Sequence, residues 1–106
     1  MPYLITISLY PSDKVPAVVE KYLEVLTKYP PDESLGEEIV PVAVKSTHQG
    51  IKSISITDIK EGKLDAAYNR TVNEMVMFQS IEGFEYTIEA YSKVEEAMAA
   101  VGMDMP

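Results

Sequence analysis

The sequence predicts an α+β domain in which four strands and two long helices alternate as β-α-β-β-α-β. Three observations carry that reading. Four segments alternate apolar and polar residues with the period of a strand, two longer segments repeat their apolar residues at helical spacing, and a tight His48-Gln49-Gly50 turn joins the middle two strands.

The first strand runs from Leu4 to Tyr10, with Tyr3, Ile5, Ile7 and Leu9 on one side and Leu4, Thr6, Ser8 and Tyr10 on the other. Pro11 ends it. Ser12 or Asp13 is positioned to cap a helix whose apolar residues Val15, Val18, Val19, Tyr22, Leu23, Leu26 and Tyr29 follow helical spacing, with Pro16 tolerated in the first turn. Pro30 and Pro31 stop the helix, and PPDESLGEE reads as a polar loop. Its carboxylates Asp32, Glu33, Glu37 and Glu38 lack the spacing of a calcium loop.

A second strand is expected from Ile39 to Thr47. Pro41 inside it calls for a sheet edge, because proline cannot donate to a neighbouring strand. The third strand, Ile51 to Ile59, follows the turn closely enough to make a hairpin. A second helix is expected from Leu64 to Ser80, with Leu64, Ala67, Tyr68, Thr71, Val72, Met75, Phe78 and Gln79 on or beside its buried stripe. Gly83 separates it from the fourth strand, Phe84 to Tyr91. Ser92 and Glu95 have capping-box spacing for a short last helix that Gly102 ends. The element order is that of a ferredoxin-like plait. Its expected sheet order is 4-1-3-2, with both long helices on one face and the second strand at an edge.

Composition sets the bounds. A chain of 106 residues suits one domain, residues 1–106, able to bury roughly two thirds of its unfolded surface. Cysteine is absent, which excludes disulfides and thiolate chemistry. The net charge of −8, with Arg70 the one arginine, argues against nucleic acid and anionic membranes as partners. The opening MPYLITISLYP has no positively charged leader, and no apolar run approaches the length of a membrane span, so a cytoplasmic protein is expected.

The chain resembles the dimeric α/β-barrel superfamily of small ferredoxin-like proteins. The resemblance rests on the strand ending SITDIKEGK, the helix after it, and the strand IEGFEYTIEAY leading into SKVEEAM. It implies a homodimer, or a higher oligomer built on one, that pairs sheets through the faces not covered by helices, with a small molecule held between them. Relatives of that kind include cofactor-independent monooxygenases, haem-degrading enzymes and lactone isomerases, and fold alone does not choose among them. Haem degradation in that superfamily uses an asparagine, a tryptophan and a histidine. This chain has no tryptophan, and its asparagines, Asn69 and Asn73, both fall on the second helix.

His48, the one histidine, is expected to be an exposed turn residue. No metal-ligand spacing and no phosphate-cradling glycine motif is present, so neither metal nor cofactor is expected. Strand parity gathers Leu4, Thr6, Ser8 and Tyr10 with Ser53, Ser55 and Thr57, with Glu85, Thr87, Glu89 and Tyr91, and with Ala43 and Lys45, on the face opposite the helices. Such a face either meets water or, as the resemblance implies, encloses a hydrated cavity between two subunits. The ligand-binding candidates are Thr6, Ser8, Tyr10, Ser53, Ser55, Glu89 and Tyr91, with Glu89 the candidate proton acceptor. Binding of a small organic molecule is the leading expectation. Cofactor-independent oxygenation or isomerisation in the same cavity and a purely structural oligomer are the alternatives.

Overall fold

The computed structural model describes residues 1–104. The elements are β1 (Tyr3–Tyr10), α1 (Val15–Lys28), β2 (Gly36–Thr47), β3 (Gly50–Ile59), α2 (Leu64–Val76), β4 (Glu85–Tyr91) and α3 (Val94–Ala100). All strand pairs are antiparallel, in the order β2-β3-β1-β4, which read from the other edge is 4-1-3-2. Pro41 lies on the edge strand β2, within the irregular stretch between Val40 and Ala43 where the register slips. A residue without an N–H is tolerated there because regular pairing is already interrupted.

Several boundaries differ from the sequence reading. The β2 strand starts three residues early, at Gly36, because Gly36, Glu37 and Glu38 extend the ladder opposite Ile59, Asp58 and Thr57. The α2 helix ends at Val76, and residues 77–80 continue as turns that bring Phe78 and Ile81 into the core. Neither Ser12 nor Asp13 caps α1. Ser12–Lys14 form a 3₁₀ turn that runs straight into the helix. The last helix is capped one residue later than the spacing suggested, where the Lys93 N–H donates to the Glu96 carboxylate at 2.9 Å. Its first turn is tethered to the sheet by Lys93 Nζ, 2.8 Å from Asp58 Oδ2 and above the Tyr3 ring.

Both long helices cover one face of the sheet. One core cluster joins Tyr10 of β1 to Val18 and Val25 of α1, and to Met75, Phe78 and Ile81 from α2 and the turns after it. A smaller one joins Leu4, Ile59 and Ala67. Aromatic stacking closes the first cluster, with Phe84 4.9 Å from Phe78 and 5.6 Å from Tyr10 between ring centroids. The inward stripe of α1 is Val18, Tyr22 and Val25, continued by Tyr29 just past its end and rotated from the broader stripe the sequence suggests, so Val19 and Leu23 remain exposed. The molecule is flat, 48 × 31 × 17 Å. Its radius of gyration of 15.4 Å exceeds the roughly 13 Å of a close-packed chain of this length, as its 48 Å long dimension gives.

The covered face is not the one parity suggested for β1 and β3. In β1 the buried residues are Leu4, Thr6, Ser8 and Tyr10, while Tyr3, Ile5, Ile7 and Leu9 are only half-buried. The register explains the reversal. Thr6 lies opposite Ile88 and Ser8 opposite Tyr86, so the β1 hydroxyls share a face with the apolar side of β4. Glu89 lies opposite Ile5, and Thr87 opposite Ile7, on the other face.

The β2–β3 turn shows how locally the fold depends on backbone geometry. Gly50 adopts a φ of 132°, and a Cβ there would collide with the Tyr10 carbonyl. Gly50→Ala is expected to cost roughly 2 kcal/mol or more. The exposed His48, two residues earlier, is expected to tolerate alanine within about 0.5 kcal/mol. Thermal unfolding of the two variants beside the parent protein checks both.

Candidate functional site

A cavity of about 880 Å³ lies between the sheet and the helix layer. Its floor is the polar side of β1 and β3. Thr6 pairs with Ser55 and Ser8 with Ser53 across the ladder, and Thr57 lies opposite Leu4. The Ser8 and Ser53 hydroxyls share a hydrogen bond of 2.7 Å. Thr6 is 8% exposed, and among the described residues its hydroxyl has no hydrogen-bond partner. That hydroxyl is not sealed from solvent, since the buried side-chain oxygen left without a partner among the described residues is Asp58 Oδ1, so it is open to water or to a guest in the cavity.

The walls are apolar, with aliphatic side chains such as Val18, Val25 and Met75 and the rings of Tyr22 from α1, Tyr29 just after it, Phe78 beyond α2, and Tyr10 and Phe84. Burial raises the Tyr10 phenol, which therefore stays protonated as a donor under ordinary conditions. Val19, Leu26, Val42 and Val44 line the cavity yet remain exposed, so it opens between α1 and the edge strand β2.

Charge is gathered at one end. Glu74 on α2 is raised above the usual carboxylate range, chiefly by burial, with Arg70 opposing and Glu38 of β2 adding to the effect. Arg70, one turn before it, is 3.6 Å from Glu74 and 3.8 Å from Asp32, donates to the Pro30 carbonyl, and lies over the Tyr29 ring at 5.7 Å. Asp32 is held below its ordinary value, first by hydrogen bonds from the Ser34 hydroxyl and N–H and then by Arg70. The acidic loop is thus bound to the helix layer at the cavity end.

The sequence-predicted site residues divide. Thr6, Ser8, Tyr10, Ser53 and Ser55 come together in the cavity. Glu89 and Tyr91 do not join them. They lie on the open face, where the Tyr91 hydroxyl donates to Glu89 at 2.8 Å and that bond, with the Glu89 charge, raises the phenol. Glu89 is therefore removed from the hydroxyl constellation, and the space beside Thr6 and Ser8 is enclosed by the same chain's helices. Glu74 was not singled out from sequence. Its signal was the helical spacing of Ala67, Thr71, Glu74 and Phe78, which puts a carboxylate on the buried side of α2. Among the described residues, no three His, Asp or Glu side chains are clustered as metal ligands, and no helix is long and apolar enough to cross a membrane.

These features define a small α+β domain with an internal cavity. No protein-family model matches the chain, and no curated protein does. Among solved structures it is similar to the De novo designed protein Foldit4, with a TM-score of 0.52 and 15% identity over 87% of this chain and 96% of that one. The likeness is one of fold.

A carboxyl raised on folding holds its proton more tightly in the folded than in the unfolded chain. Stability at such a position is present at low pH and is lost as pH rises from the ordinary carboxylate range through the raised value. Glu74→Gln is therefore expected to raise the melting temperature near neutral pH and to lose that advantage at about pH 3, where Glu74 is itself neutral. Melting curves at both pH values check the sign.

Proposed function

We propose that this chain is a cytoplasmic ferredoxin-like protein of the dimeric α/β-barrel kind that binds a small organic molecule in the cavity between its own sheet and helices. The observation that carries the reading is the pairing of a hydroxyl floor with an aromatic wall around a space of about 880 Å³. Known ligand pockets run from about 300 to 1,000 Å³ and combine apolar walls with a few convergent polar groups. Packing alone would not favour Thr6, Ser8, Ser53 and Ser55 beneath two helices, because apolar residues there would bury at lower cost.

The open face supports a second copy as partner. Ile5, Ile7, Leu9, Ile54 and Ile56 form an apolar, half-buried band on it, flanked by Thr87 and Glu89. Sheet-to-sheet pairing through that band would cover it. The two functions then separate by face, with assembly on one side of the sheet and the ligand on the other. An enzymatic reading of the same cavity rests on Glu74, whose raised carboxyl suits proton transfer. Oxygen consumption with a quinol panel, lost in Glu74→Gln, would favour that reading.

Native mass spectrometry of gently purified protein tests the binding reading. A retained organic mass is expected, and its retention should fall about tenfold in Thr6→Val, equivalent to one lost hydrogen bond of about 1.4 kcal/mol. The same substitution should leave the melting temperature nearly unchanged, since the Thr6 hydroxyl is open to the cavity and valine keeps the side chain's shape. A protein that never retains a molecule would instead be a structural oligomer.

Assembly is tested separately. Ile7 sits at the centre of the open band between Ile54 and Thr87. Sedimentation at micromolar concentration is expected to give a dimer or larger species for the parent protein and a monomer for Ile7→Lys, with the cavity left intact.

A further inference from the structure

We infer that the cavity takes an organic cation, a protonated amine or quaternary ammonium joined to an apolar or aromatic body. The inference rests on the small-molecule reading above and names the chemical class of the guest.

Three observations converge on it. The charges lining the cavity are unbalanced, since Asp32, Glu33, Glu37, Glu38 and Glu74 face only Arg70 and Lys60. The Arg70 guanidinium is already committed to Glu74, Asp32, the Pro30 carbonyl and the Tyr29 ring, so it has little left for an anionic guest. Lys60 is exposed, as are Asp32, Glu33, Glu37 and Glu38, while Glu74 and Arg70 are equally half-buried, so the excess of carboxylate sits at the cavity's open end.

The second observation concerns Glu38 and Glu74 themselves. They come from different elements, Glu38 from the covered face of β2 opposite Thr57 and Glu74 from α2 above it, and they repel each other across the cavity end. A cation seated between them relieves that repulsion, whereas an anion adds to it.

The third is the wall. Tyr22, Phe78 and Phe84 offer rings to an apolar body, and electron-rich ring faces also attract ammonium groups. At the floor the Thr6 hydroxyl, which faces the cavity with no side-chain or backbone partner among the described residues, is available to a polar group on the body. The guest is therefore amphipathic. Its charged end lies at Glu38 and Glu74, and its body lies along the aromatic side above Thr6 and Ser55.

A matched set of probes on the intact protein tests the proposal. Naphthylmethylammonium, naphthylmethanol and naphthoate share a ring and differ in charge, and their binding can be followed by chemical-shift titration of the Tyr22, Phe78 and Phe84 rings. The ammonium is expected to bind at least about tenfold more tightly than the alcohol, with naphthoate weakest. Glu74→Gln and Glu38→Gln should each narrow the ammonium-to-alcohol ratio, while Thr6→Val should leave that ratio unchanged. Circular dichroism verifies that each variant is folded. Equal binding of ammonium and alcohol, or a preference for naphthoate, would overturn the cationic class and leave the cavity reading standing. If none of the three shifts the ring resonances, both the cationic class and the cavity reading fall.

Discussion

The pairing register of β1 with β4 is the constraint on which the rest of the structure depends. Ser8 opposite Tyr86 and Thr6 opposite Ile88 put the β1 hydroxyls on the same side of the sheet as the residues that pack beneath α1 and α2. A slip of one residue would exchange every side chain between faces, placing Ile5 and Ile7 under the helices and Thr6 and Ser8 outside. Tyr10 helps hold the observed register. Its ring stacks on Phe84 just before β4, and Phe84 in turn stacks on Phe78, so one aromatic row joins the end of β1 to the approach to β4 and the turns beyond α2.

A polar floor under a helix layer has a structural cost. Ser8 and Ser53 satisfy each other, but Thr6 does not share that arrangement, and the half-buried Ser55 and Thr57 keep access to the space above them. Core contacts concentrate at two places, the aromatic row and the Leu4, Ile59 and Ala67 cluster, with the cavity between. This division explains how a short chain can hold an ordered scaffold and an internal space together. The scaffold is tied by the sheet, and the helices are tied by the cores around the cavity.

The charged end makes a similar compromise. Arg70 links three parts of the chain, α2 through Glu74, the acidic loop through Asp32 and Pro30, and the end of α1 through Tyr29. One cation thereby secures a loop that would otherwise repel Glu74. Arg70 makes no ion pair with Glu33, Glu37 or Glu38, which also line the cavity.

Element order, the edge position required by Pro41 and the exposed turn at His48 were legible in the chain because each follows from local rules, namely periodicity, a missing N–H and a short turn. The hydroxyl alternation of β1 and β3 was equally legible, and it correctly grouped Thr6, Ser8 and Tyr10 with Ser53 and Ser55. Which way that group faced was not legible. Parity within one strand defines two sides but carries no label for the side that helices will cover, and apolar Ile5, Ile7 and Ile54 made the opposite side look like the natural core. The label comes from cross-strand register and from which helix stripe finds partners, both set by contacts between residues far apart in sequence. Glu74 was hidden for the same reason. Its spacing placed it beside the buried stripe of α2, but only the packed structure brought it near Glu38 from β2 and turned an ordinary helical carboxylate into part of a cavity.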